Sequence, residues 1–179
     1  MSKKSFELAF AGIASALCIA LEFSVGIMPL FLYVFTMASA LIMSIIMIEC
    51  GPKLALCSYL SVSVLSLALV PDKEACLMFS CFFGYYPIAR KYLVRIRPRL
   101  ISGILRLAGF NISVTCSYLI LIRLVGLEAA GFSSGGAWYI ALLYILGNAA
   151  FVAFDILLGR ITAIYSQKYR GRFFGRRKK

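Results

Sequence analysis

Apolar residues arrive in six long blocks, at about 6–23, 30–48, 54–70, 75–89, 100–125 and 138–158, with short polar breaks between them. No other feature limits the chain as tightly. About 20 apolar residues wound as α-helix, rising ~1.5 Å each, cover the ~30 Å hydrocarbon core of a bilayer. A helix satisfies its own backbone hydrogen bonds, which lipid cannot do. Composition agrees: 62% of the 179 residues are hydrophobic and 15% charged, against about half and about a quarter in a soluble domain. A small globular protein has no interior large enough to hide that excess. The chain therefore reads as an all-α integral membrane protein. It is one compact bundle of about six transmembrane helices over residues 1–179, with no internal repeat, second domain or low-complexity linker.

The breaks are written in familiar terms. Ser24 to Pro29 reads as a turn, with Gly26 and Pro29 as breakers. Glu49-Cys50-Gly51-Pro52-Lys53 ends the second block and Pro71-Asp72-Lys73-Glu74 the third. The fourth block is short, at 15 residues, so its crossing needs tilt or local thinning of the bilayer. Five basic residues between Arg90 and Arg99, interleaved with Tyr92, Leu93, Val94 and Ile96, predict a segment lying in the interface. A Gly- and Ser-rich loop covers 126–137, and a basic tail occupies 160–179.

Charge sets the orientation. With both termini cytoplasmic, 16 of the 19 basic residues fall on the cytoplasmic side, as the positive-inside rule requires. The net charge of +12 then reflects topology and contact with anionic lipid at the basic segments, not nucleic-acid binding. The first block, although preceded by Lys3 and Lys4, reads as a retained span because others follow at once. There is no histidine, and the six cysteines are scattered without a C-x-x-C pair, so no metal, cofactor or disulfide framework is expected. No P-loop or H-E-x-x-H pattern occurs. Asp72 and Glu74, beside Lys73, read as a solvated turn; the chain is not expected to be an enzyme.

Polar groups inside apolar blocks need a partner or a cavity. Counting helical rise places Arg106 level with Asp155 near the cytoplasmic boundary, and Asn111 level with Asn148 near the midplane. The first two fit an ion pair and the second two an interhelical amide contact. Glu22 and Arg123 fall at the outer level, near Asp72, Lys73, Glu74, Trp138 and Tyr139. These either meet a small polar ligand arriving from outside or form an interfacial belt. Gly12, Ala16 and Ala20 recur every fourth residue, with Ala11 and Ser15 as a neighbouring row and Ala40 and Ser44 as another. Such ridges let helices approach closely.

Six short apolar helices, basic cytoplasmic ends and small-residue rows near the N-terminus resemble the substrate-binding S components of energy-coupling factor (ECF) transporters. Those are vitamin and micronutrient importers of prokaryotes, within the ABC class. The resemblance implies a multi-pass protein of a prokaryotic plasma membrane that captures a small molecule near the outer face. It also implies a transmembrane coupling protein joined to two ATPases, docked on the Gly12, Ala16 and Ala20 row, where strict Ala-x-x-x-Ala spacing holds only between Ala16 and Ala20. The family's ligand region corresponds here to the Ser24–Pro29 turn, Pro71 to Glu74, Tyr118, Arg123, Trp138, Tyr139 and Tyr144. The alternative from the residues themselves is a non-transporting membrane scaffold with a lipid-binding basic tail. The run Phe82-Phe83-Gly84-Tyr85-Tyr86-Pro87 suits a helix bend or a coupling surface near the cytoplasmic end.

Overall fold

The computed structural model describes residues 3–28, 31–126 and 136–169. Among these there is no strand. Helices α1 (Lys3–Ile27), α2 (Leu32–Glu49) and α3 (Pro52–Leu69) run back and forth. Then α4 (Lys73–Met78) passes through a π-helical turn, Phe79–Phe83, into α5 (Tyr86–Leu93). The chain continues as α6 (Arg99–Val125) and α7 (Gly136–Ile164), and α7 ends in a second π-helical turn, Tyr165–Tyr169. Among the described residues, five helical stretches are long and apolar enough to cross a membrane: Lys4–Ile27, Leu32–Glu49, Pro52–Leu69, Arg99–Leu124 and Ala141–Lys168.

The breaks have local causes. Gly51 takes φ 87° and hands over to Pro52 in the first turn of α3, where a missing N–H costs nothing. The Asp72 carboxylate caps α4 by accepting the Ala75 N–H at 3.0 Å. The expected turn at Ser24 is not there: α1 stays helical to Ile27. One helical glycine costs only about 1 kcal/mol, and the Ser24 hydroxyl donates back to the Ala20 carbonyl at 2.9 Å. Pro29, the loop at 127–135, residues 170–179 and both termini lie outside the described residues. Where the basic tail was expected from 160, the helix instead continues through Arg160 to Lys168 and Tyr169.

The largest departure is the fourth segment. In place of a short crossing at 75–89 followed by an interfacial stretch, helical structure extends from Lys73 to Leu93, 21 positions broken only by the π-helical turn and Gly84-Tyr85. At ~1.5 Å per residue that length approaches the ~30 Å of a bilayer core. Arg90 and Lys91 belong to α5, and Arg90 turns inward to an acid on α7. This segment is the pillar of the bundle. Met78, Phe79, Phe82, Phe83 and Tyr86 are all buried, as befits a helix that is apolar on every side.

Its aromatic run builds the core as well as the bend. Phe82 packs on Tyr86, Phe110 and Phe151 at centroid distances of 4.7, 5.1 and 5.4 Å. Phe110 and Phe151 stack at 4.7 Å, tying α6 to α7. The π-helical turn closes with Gly84 N–H donating to the Phe79 carbonyl at 2.8 Å. The Ser80 carbonyl receives the Tyr59 hydroxyl at 2.6 Å. Gly84 is required here, because a Cβ would stand 2.6 Å from the Tyr59 ring.

Candidate functional site

Between α2, α4, α6 and α7 lies a cavity of about 430 Å³. Its walls are apolar, from Met37, Met78, Phe83, Phe110 and Leu143 among others, and among the described residues it contains no charged side chain. Four hydroxyls, from Tyr33, Thr115, Tyr118 and Tyr144, supply its polar groups. They are already organised. Tyr33 and Tyr118 share a hydrogen bond of 3.0 Å, Tyr118 donates to Glu74 Oε1 at 3.0 Å, and Thr115 and Tyr144 share one of 2.6 Å. Gly147 faces the cavity, with Phe110 3.8 Å from where a Cβ would be. The walls suit a small molecule with an aromatic or apolar body, and the hydroxyls suit a few uncharged polar groups on its edge. Among the described residues no cluster of His, Cys, Asp and Glu could hold a metal ion.

Of the outer-level residues expected near a ligand, Tyr118 and Tyr144 alone among the described ones line this cavity, and Glu74 reaches it through Tyr118. Asp72 caps α4. Lys73 donates through Nζ to the Leu67 and Val70 carbonyls, both at 2.9 Å, and so closes the end of α3. Arg123 is exposed on the last turn of α6, and Trp138 is exposed on the first turn of α7. The side chain of Tyr139 lies outside the described residues. Glu22 is the surprise: it is 0% exposed, and neither carboxyl oxygen has a protein hydrogen-bond partner. The Ser39 hydroxyl and Asp72 lie beside it. It sits inside the bundle, not at a mouth.

The expected polar pairs do meet. Asn111 and Asn148 exchange amide hydrogen bonds at 2.8 and 3.0 Å, and each also donates to its own helix, at the Leu107 and Tyr144 carbonyls. Arg106 reaches Asp155, but the two are not alone. Arg90 Nε donates to Asp155 Oδ1 at 2.6 Å, Arg90 Nη2 donates to the Asp155 carbonyl at 3.2 Å, and the Tyr86 hydroxyl donates to Oδ1 at 2.6 Å. Gly159 makes room, since a Cβ there would stand 2.6 Å from Arg90 Nη2. Sequence reasoning missed Arg90 because it opens a run of basic residues that reads as surface. The glycine one turn beyond Asp155 was the available signal.

The small-residue rows separate cleanly. Ala11 is buried, and so are Ala40 and Ser44 on α2, so those rows pack inside the bundle. Gly12, Ala16 and Ala20 are exposed together along one face of α1, and a Cβ on Gly12 would touch nothing. Compared with protein-family models, with curated proteins and with solved structures, the chain matches none.

Proposed function

We propose that this protein is a membrane-embedded capture subunit. It takes a small, largely apolar or aromatic molecule, such as a vitamin-like nutrient, into the cavity between α2, α4, α6 and α7. The single observation that carries this reading is that cavity, apolar in its walls and edged by four hydroxyls of which Tyr118 is anchored on Glu74. In the orientation set by the basic residues, the chain spans the bilayer with both ends inside, and the hydroxyls open toward the outer face. A bundle of this size has no recognisable ATP-binding motif of its own, so uptake would be powered by partners. The exposed Gly12, Ala16 and Ala20 row supports docking of a transmembrane coupling protein with two ATPases, as in the ECF importers that the sequence resembles.

The test is mass spectrometry of small molecules retained by the detergent-purified chain, run beside two variants. Gly147→Leu grows a side chain into the cavity from a position where the Cβ itself meets Phe110 only at an ordinary contact distance of 3.8 Å, so it should abolish retention while leaving a cooperative thermal unfolding transition. Ala16→Trp should leave retention intact while abolishing co-purification of partner subunits, because an indole on that face holds a second helix away. Retention that survives Gly147→Leu would refute the cavity as the site. Partner assembly that survives Ala16→Trp would refute the docking face.

A further inference from the structure

A second cavity, of about 520 Å³, lies between α2, α5 and α7 at the opposite end of the bundle from the hydroxyls. Charge is unbalanced there. Arg90 and Arg106 share the single carboxylate of Asp155, which leaves one positive charge over in a cluster whose side chains are 15–19% exposed. Arg90 forms part of the cavity lining, and so do Lys91 and Arg95 from the same stretch of chain. No ion pair involves Lys91 or Arg95 among the described residues. Three cationic residues therefore line one concavity, and among the described residues their ion pairs reach one acid, Asp155.

The neutral groups in the lining do not correct this. The Ser44 and Thr162 hydroxyls donate to carbonyls of their own helices, at Leu41 and Leu158, both at 2.7 Å. Besides the exposed Ser166 hydroxyl, the donors left for a ligand are the cationic ones, which match a multi-oxygen anion such as phosphate. The remaining wall is aliphatic, from Met47, Val94 and Leu158, and among the described residues the lining has no aromatic ring. That wall gives a nucleobase nothing to stack on and suits an acyl chain. A cationic rim over an aliphatic wall, at the basic end of a bundle of apolar helices, fits an anionic lipid.

We propose that the cavity between α2, α5 and α7 is a binding site for the phosphate of an anionic phospholipid, held by Lys91, Arg95 and the spare charge of the Arg90–Asp155–Arg106 cluster. The proposal uses the membrane reading but not the capture reading, since the two cavities lie at opposite ends. One lipid would seat per chain, its headgroup neutralising the cluster and its tail against Val94 and Leu158.

The experiment is native mass spectrometry of the full chain, titrated with phosphatidylglycerol or phosphatidylcholine of equal chain length. One phosphatidylglycerol should bind in preference. Lys91→Ala with Arg95→Ala should weaken it on the order of tenfold to thirtyfold, two surface-level cations having been lost. The control Lys4→Ala with Lys53→Ala should leave it unchanged. Both lysines of the control are basic-end residues absent from the lining. Equal binding of the two lipids, or a preference that survives the Lys91 and Arg95 changes, would overturn the site. Inorganic phosphate that protects the chain against heat, with no discrimination between lipids, would overturn the lipid headgroup as the source of the anion.

Discussion

Asp155 should be far more costly to remove than either of the arginines that hold it. The carboxylate accepts Tyr86 Oη and Arg90 Nε, each at 2.6 Å, as well as Arg106. With its side chain 15% exposed and both arginines 19% exposed, water screens the group poorly. Asp155→Asn leaves two guanidiniums with no counter-charge, and breaking a buried ion pair in this way costs about 3–5 kcal/mol. That is a large part of a stability of about 5–15 kcal/mol. Arg106→Met behaves differently: it leaves Arg90 and Asp155 as a neutral pair and relieves one desolvated charge. Its cost should be only that of a charged hydrogen bond, about 1.5–3 kcal/mol, offset by that relief. Arg90→Met should match it, while the double arginine variant, with a lone acid, should return to the Asp155→Asn level. Unfolding in mixed micelles under increasing dodecyl sulfate, followed by near-UV circular dichroism, gives the four free energies. A silent Arg90→Met, with Arg106→Met as damaging as Asp155→Asn, would mean that the acid serves Arg106 alone and would refute this reasoning.

Two further outcomes can be read in the same assay. Gly84→Ala should destabilise by about 1–3 kcal/mol, the usual cost of overpacking, because the Tyr59 ring 2.6 Å away cannot retreat without losing its hydrogen bond to Ser80; unchanged stability would show that the ring is free to move. Glu22→Met should stabilise by about 1–3 kcal/mol, since it deletes two buried oxygens that lack a well-formed protein hydrogen bond; a loss of stability instead would show that the neighbouring Ser39 hydroxyl, an ion or a ligand engages Glu22.

Much of the fold could be read because apolar runs and helical rise depend on so few variables. Block lengths predicted the long helices, and counting 1.5 Å steps matched Asn111 with Asn148 and Arg106 with Asp155 before any contact was seen. The fourth segment was harder for a physical reason. A helix buried on all sides has no polar face, so periodicity cannot mark it, and its π-helical turn shifts whatever period remains. The basic residue that ends the apolar run at Arg90 looked like a boundary, yet in the folded chain it is a buried partner. A third charge joining a pair cannot be inferred from the depth of the other two.

Glu22 shows what depth alone omits. Helical rise gives a residue's height but not the side of the helix on which it lies, and Glu22 has the height of a ligand-facing group. Its direction was written nearby, however. Ala11, Ala14, Cys18 and Val25 are buried, and their spacing of three, four and seven residues traces one stripe along α1. Glu22 falls on that stripe, four residues beyond Cys18 and three before Val25, so the helix that buries them must bury it too. By the same geometry Gly12, Ala16 and Ala20, offset from the stripe, face outward. One helix therefore carries a buried carboxyl on its inner side and a row of small residues on its outer side. A partner that packs on that row would bear on the helix that positions Glu22.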